Sequence, residues 1–333
     1  MRRFLVLALA VVLSMGVLFA TGCSTNTGDE DIPEEDPTQY RMTTEEMREE
    51  DEYQERWLSI PNSRLVVNPF SFSDYTDDAT VTQVEHSNRP TIPLNIGYLD
   101  PNSHKELGKV TTSSNLIMVL ENQSAVRAEA TEYSTSWQPD RLDFTAEYAE
   151  GLQAEGYDYF YDEKTVVRSV SAENGSLSVV GNLPGSPSYE NNTLVIENSR
   201  YRIAIGFAEG TELKFYANGG EMFNKGREVE RPRANGSWAL DLEEGEANVN
   251  VAIAIEGLTE TKESTISLVR APFEQNNVKR RMAERTKAWN QFFEKVPYVS
   301  FTDMPLLEDA NALKGVTTEE VLHEYYLAWA LIW

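Results

Sequence analysis

Between residues 65 and 272 short apolar and alternating segments follow one another between turn residues, and that pattern limits the fold more than anything else in the chain. "YRIAIGF" puts Tyr201, Ile203, Ile205 and Phe207 on one face, and "ANVNVAIAI" does the same with Ala247, Val249, Val251, Ile253 and Ile255. Alternation over such lengths is the pattern of half-buried β-strands. "RLVVNPF", "NLIMVLE", "RAEATEYSTSW", "RLDFTAEY", "TVVRSVSA", "SLSVVGN", "TLVIENS" and "TELKFYAN" are further strand segments. Turn residues separate them, among them Asn174-Gly175, Pro184-Gly185 and Asn218-Gly219-Gly220. No ordinary-length helical period interrupts the run. The expected fold is mainly β, a large antiparallel β-sandwich over residues 57–272, and roughly 200 residues suffice for one core.

The period changes after Pro272. "FEQNNVKRRMAERTKAWNQFFEKVP" places Val278, Met282, Trp289, Phe292 and Phe293 on one helical face, and Pro297 ends the segment. Residues 273–297 are therefore expected to form a linker helix. "TTEEVLHEYYLAWALIW" then opens with a capping-box pair, Thr317 and Glu320, and turns apolar on all sides. A helix of that kind needs partners on two sides. The pattern predicts, for residues 298–333, the start of a truncated helical barrel, with Leu327, Trp329, Leu331, Ile332 and Trp333 packed inside it.

The other end has a different composition. Residues 1–23, "MRRFLVLALAVVLSMGVLFATGC", combine Arg2 and Arg3, a short apolar run and small residues before Cys23. This reads as an export signal, not a retained span. The ending Ala20-Thr21-Gly22-Cys23 resembles a bacterial lipobox, although Ala20 stands where Leu is more typical. That resemblance implies acylation of Cys23 and anchoring through membrane lipid, each buried methylene contributing about 0.8 kcal/mol. Ser24 after the Cys favours the outer membrane or cell surface. Cys23 is the only cysteine, so no intramolecular disulfide forms. Residues 24–56 carry 13 acidic residues and three Arg. They read as a self-repelling flexible tether of roughly 30 Å, with a short helix begun by Thr43 and Glu46 at its end.

Without the two signal arginines the charge falls from −25 to −27, with 54 acidic against 27 basic residues. A surface of that sign repels nucleic acid and offers no polybasic membrane patch.

The residue order at the sandwich-to-helix boundary is similar to that of six-hairpin glycosidases, the group around glycoside hydrolase family 63 and its trehalase-like relatives. Ala288-Trp289, Phe292-Phe293, Pro297, Tyr325-Tyr326 and Ala328-Trp329 carry the likeness, with a fainter one in "VVNPFSFSD". The resemblance implies a β-supersandwich followed by an (α/α)6 barrel and an exported, lipid-anchored hydrolase acting on glucoside-type oligosaccharides with inversion. In such enzymes one carboxyl group protonates the leaving oxygen while another activates water. Both lie on barrel loops beyond the first helix. No position here matches them, so no catalytic residue is assigned and this chain is expected to be inactive alone. The alternative is a non-catalytic surface lipoprotein whose sandwich binds carbohydrate or a protein partner, with both helices completing its own fold.

Other candidates are weaker. His86, His104 and His323 lack ligand spacing, and Asp74, Asp77 and Asp78 lack the Gly and distal Glu of a calcium loop. No cofactor or metal ligand is assigned. Tyr157, Tyr159 and Tyr161 alternate in "GYDYFYDEK" and could stack on sugar rings, although a stripe of strand aromatics explains them better. Trp137 in "STSWQPDR" is expected as an exposed loop aromatic. Asn122, Asn174, Asn191 and Asn235 head Asn-X-Ser/Thr triplets of no expected consequence.

Overall fold

A computed structural model describes residues 42–45, 47, 49–50, 58, 63, 65–68, 94–99, 107–109, 118–121, 132–148, 151–199, 201–223, 226–242, 249–274, 277–297 and 318–332. These fall into two compact units: the described residues of Arg48–Arg285, and those of Met1–Met47 together with Thr286–Trp333.

The larger unit is built of antiparallel strands. In chain order the first nine are β1 (Glu49–Glu50), β2 (Leu65–Asn68), β3 (Asn95–Leu99), β4 (Leu107–Lys109), β5 (Met118–Glu121), β6 (Glu132–Gln138), β7 (Arg141–Glu147), β8 (Gln153–Phe160) and β9 (Thr165–Glu173). There follow β10 (Leu177–Asn182), β11 (Ser186–Glu190), β12 (Thr193–Glu197), β13 (Tyr201–Phe207), β14 (Lys214–Tyr216), β15 (Glu228–Val229), β16 (Ser237–Leu242) and β17 (Val249–Gly257). Nine of them form one sheet in the order β1-β6-β7-β8-β9-β17-β13-β12-β11. Five form a second, β15-β14-β16-β10-β5, and β2-β3-β4 form a third. The chain is mainly β, as the alternation predicts.

Strand register explains how one large sheet serves two layers. Val251, Ile253 and Ile255 stand opposite Phe207, Ile205 and Ile203, and all six are buried. This face meets the five-stranded sheet, where the Phe207 ring lies edge-on to Trp238 at 5.1 Å. Tyr189 and Phe215 repeat the contact at 5.3 Å. Such edge-to-face pairs contribute about 0.5–1.5 kcal/mol beyond area burial. On the opposite face Tyr159, Val167, Ala204, Ala252 and Ala254 pack against Val269 and Val278 of two helices, Lys262–Arg270 and Asn277–Phe293. The small residues there let the helices approach. A Cβ on Gly206 would sit 2.5 Å from the Val269 carbonyl oxygen.

Two expectations need correcting. The nine-residue helix Lys262–Arg270 lies in a stretch read as uninterrupted strand. Its start is written in Thr261, whose hydroxyl accepts from the Ser264 amide at 3.1 Å and so satisfies one of the open helix donors. The tether, expected to reach residue 56, gives way earlier. Met47 is fully buried, its amide bonds Thr43 in a single turn, and Glu49–Glu50 pairs with Ser136 and Trp137 of β6. A chain segment with a buried Met and a paired strand is part of a fold, not a spacer.

The smaller unit is an aromatic cluster. Trp289 packs on Phe292 and Phe293, and Phe293 meets Tyr326 of the helix Thr318–Ile332 edge-on at 5.6 Å. The Tyr325 hydroxyl donates to the Pro297 carbonyl at 2.9 Å, and the Thr44 amide donates to the Asn290 side chain. Leu322, Tyr326 and Leu327 are buried on this helix, and the side chains of residues 331–333 lie outside the described ones. Among the described residues no helix is long and apolar enough to cross a membrane.

Candidate functional site

Cys23, Asp74, Asp77, Asp78, His86, His104 and Asn122 lie outside the described residues. His323 is half-buried on the helix Thr318–Ile332. Trp137 is a correction: it lies in β6, in register with Leu142, and is buried. The Pro139 that follows it marks the β6–β7 turn, and the Trp precedes that turn inside the strand. Asn174, Asn191 and Asn235 all have positive φ. Their side chains tolerate the left-handed region, and turn geometry accounts for them. Asn191 and Asn192, with φ of 49° and 55°, form the two-residue loop closing β11 onto β12.

The tyrosine stripe divides. Tyr159 and Tyr161 are buried beneath the helices, where their hydroxyls donate to the carbonyls of Val278 at 3.0 Å and Ala271 at 3.3 Å. Burial pushes the Tyr159 phenol well above its usual range. Arg281 lies over the Tyr161 ring, 5.4 Å from its centre. These two rings are core with a polar tip, the ordinary arrangement of a buried Tyr. Tyr157 differs: it is half-buried at the margin of the helical cover, 6.1 Å from Tyr159.

Around Tyr157 the same face becomes polar. Register places Ser136, Asp143, Tyr157, Ser169 and Asn250 side by side on five neighbouring strands. The next row contributes Gln138 and Arg141. Asp143 is held from two sides, its carboxylate accepting from Gln138 Nε2 at 2.9 Å and pairing with Arg141 Nε at 2.8 Å. Its side chain is 20% exposed and that of Arg141 27%. Ser136 and Ser169 are 4% and 1% exposed, and among the described residues their hydroxyls find no hydrogen-bond partner. On the solvent side the row ends in the Ser134–Thr145 hydroxyl pair at 2.6 Å. A partly open ring, a fixed carboxylate with free lone pairs, a guanidinium and unused hydroxyls can together bind a ligand rich in hydroxyl groups.

A second polar cluster is structural. Glu256 is buried and accepts from Lys164 at 2.8 Å and from the Thr265 hydroxyl at 3.0 Å. Arg202 bonds Glu197 at 2.6 Å and the Glu260 carbonyl at 2.9 Å. The Glu256 hydrogen bond raises Lys164 above its ordinary range. Each buried charge is met, which is what its desolvation requires, and the network ties β13 and β17 to the start of the helix Lys262–Arg270. Among the described residues no group of three or more His, Cys, Asp or Glu is placed to hold a metal ion.

No protein-family model and no curated protein matches the sequence. Among solved structures the chain is similar to a family GH92 inverting mannosidase from Bacteroides thetaiotaomicron, at TM-score 0.44 and 11% identity over 71% of this chain and 33% of that one. It is also similar to another GH92 glycosyl hydrolase, at 0.43 and 9% over 71% and 34%. A bacterial glucoamylase solved with acarbose gives 0.43 and 10% over 81% and 39%. The chain thus spans about a third of the length of the first two. These neighbours are glycoside hydrolases, and likeness at this level assigns no family.

Proposed function

We propose that the chain is the sandwich-and-junction part of an exported, lipid-anchored glycoside hydrolase of the six-hairpin type, near family 63 and the trehalase-like group, which cleaves glucoside oligosaccharides with inversion. One observation carries the reading. The scattered residues that resemble the sandwich-to-barrel junction lie together: Trp289, Phe292 and Phe293 form one aromatic cluster with Tyr326, and Tyr325 closes onto Pro297. In this reading the catalytic acid and base belong to an (α/α)6 barrel, and no residue of residues 1–333 holds either role. The junction holds the barrel's first helix, and acylated Cys23 holds the enzyme at the outer membrane or cell surface.

The test uses the natural polypeptide that carries this sequence, isolated from membranes and incubated with α-glucosides while proton NMR follows the product anomer. The inverted anomer is expected, and residues 1–333 alone should release no sugar above a buffer blank. Hydrolysis with retention, or turnover by residues 1–333, overturns the mechanism. Absence of hydrolysis by the natural polypeptide overturns the enzyme reading and leaves the alternative, a lipoprotein whose sandwich binds carbohydrate or a protein partner. For the anchor, Cys23→Ser should leave the protein unprocessed or move it to the soluble fraction. Unchanged processing and membrane retention would refute acylation.

A further inference from the structure

The row around Tyr157 sets an ion-paired carboxylate and a half-buried aromatic ring side by side. Asp143 and Arg141 form an ion pair at 2.8 Å on β7, and Gln138 donates to the other carboxylate oxygen at 2.9 Å. Held so, the carboxylate keeps lone pairs for outside donors, and the guanidinium keeps N–H groups for outside acceptors. A vicinal pair of sugar hydroxyls offers both a donor and an acceptor at the spacing of such a unit. Beside it stands the half-buried ring of Tyr157, directly across from Asp143 in register. An aromatic face next to a fixed polar fork suits a pyranose ring, which has an apolar C–H face and a hydroxylated rim.

Core packing does not account for the row. A sheet face that only supports helices would continue with the small and apolar residues seen at Val167, Ala252 and Ala254. Instead it carries two buried hydroxyls, Ser136 and Ser169, that find no partner among the described residues. An unmet buried hydroxyl costs on the order of 1–3 kcal/mol, a cost that binding can recover. The partial exposure of Asp143 and Arg141 leaves the row reachable from the Ser134 and Thr145 side.

We infer that the face of the nine-stranded sheet around Tyr157, Asp143 and Arg141 is a binding site for a neutral oligosaccharide. The choice of glucoside as ligand rests on the proposed function; the site itself does not. Bound there, the chain of a longer glycan would be kept near the enzyme between cleavage events.

The experiment is isothermal titration of the full chain with maltotetraose, with mannotetraose as the second probe. Binding at millimolar concentration is expected, with Tyr157→Ala and Asp143→Asn each weakening it by about tenfold or more. Tyr157→Phe, which keeps the ring, should keep most of the affinity, and Lys214→Ala on the other sheet should change nothing. Thermal melts of each variant separate lost binding from lost fold. Absence of binding to both probes, or binding that survives both Tyr157→Ala and Asp143→Asn in folded protein, overturns the site. Preference for mannotetraose would uphold the site and count against the glucoside reading. Because titration detects binding without turnover, failure here leaves the hydrolase reading to its own assay.

Discussion

On β8, Asp158 and Phe160 project toward the second sheet, while Tyr157 and Tyr159 project toward the helices. Alternate residues of one strand therefore build two unlike environments. The sheet-to-sheet side is largely apolar, and there Arg168 binds Asp158 through two parallel hydrogen bonds of 2.7 and 2.6 Å. Its guanidinium also covers the Phe144 ring at 4.8 Å. Each charge in that pair has a fixed partner, so the interior tolerates it. The helical side is closed around Tyr159, Tyr161, Val167 and Ala252 and becomes polar in the row of Tyr157. The difference teaches that polarity inside a fold has two meanings. A matched pair such as Arg168–Asp158 is architecture; an unmatched group alone, such as Trp238 Nε1 or the Thr165 hydroxyl, carries no function, and only unmatched hydroxyls beside a part-exposed carboxylate support the proposed recognition.

The comparison can be broken most forcefully at the ion pair. Arg168→Met leaves a buried carboxylate unpaired and should cost about 3–5 kcal/mol in a denaturant melt, whereas Arg168→Met with Asp158→Leu should be close to neutral or stabilising. A small loss in the single variant would show that water reaches the pair. On the helical side Tyr159→Phe removes one hydrogen bond to Val278 and should cost about 1 kcal/mol. It should also alter the alkaline limb of stability. The folded phenol is raised by burial, so the unfolded chain releases its proton first, near the ordinary value of about 10. The folded state binds more protons above that pH, and stability falls as pH rises from there. Tyr159→Phe should flatten this fall, and an identical alkaline limb would count against a buried phenol. The smallest effect belongs to Thr165, whose buried hydroxyl finds no partner among the described residues. Thr165→Val should be neutral or add up to about 1 kcal/mol, and a clear loss would reveal a partner for that hydroxyl.

Much of the architecture was legible from period alone. β13 and β17 lie where "YRIAIGF" and "ANVNVAIAI" put them, and both become the centre of the large sheet. The helix Lys262–Arg270 escaped notice because nine residues with Lys262, Glu263, Ser264 and Ser267 exposed little periodic apolar signal; only the Thr261 cap marks it. Trp137 was misplaced because its neighbouring Pro139 and Asp140 resemble a loop, yet the turn begins one residue beyond the strand. The site was largely illegible for a physical reason. Ser136 and Ser169 become part of one row through strand register, and no local pattern in "YSTSWQ" or "VVRSVSA" specifies which residues stand across a sheet.

The most direct test of the two-faced sheet uses two residues three apart on the same strand. Phe160→Ala and Tyr157→Ala should be compared in paired urea melts and maltotetraose titrations. Phe160, buried on the closed side, should lose about 3–5 kcal/mol of stability on truncation, with oligosaccharide affinity unchanged in whatever fraction remains folded. Tyr157→Ala should lose much less stability and nearly all of the binding. Equal losses of stability with no change in binding for either variant would contradict the account, because both faces would then be core alone.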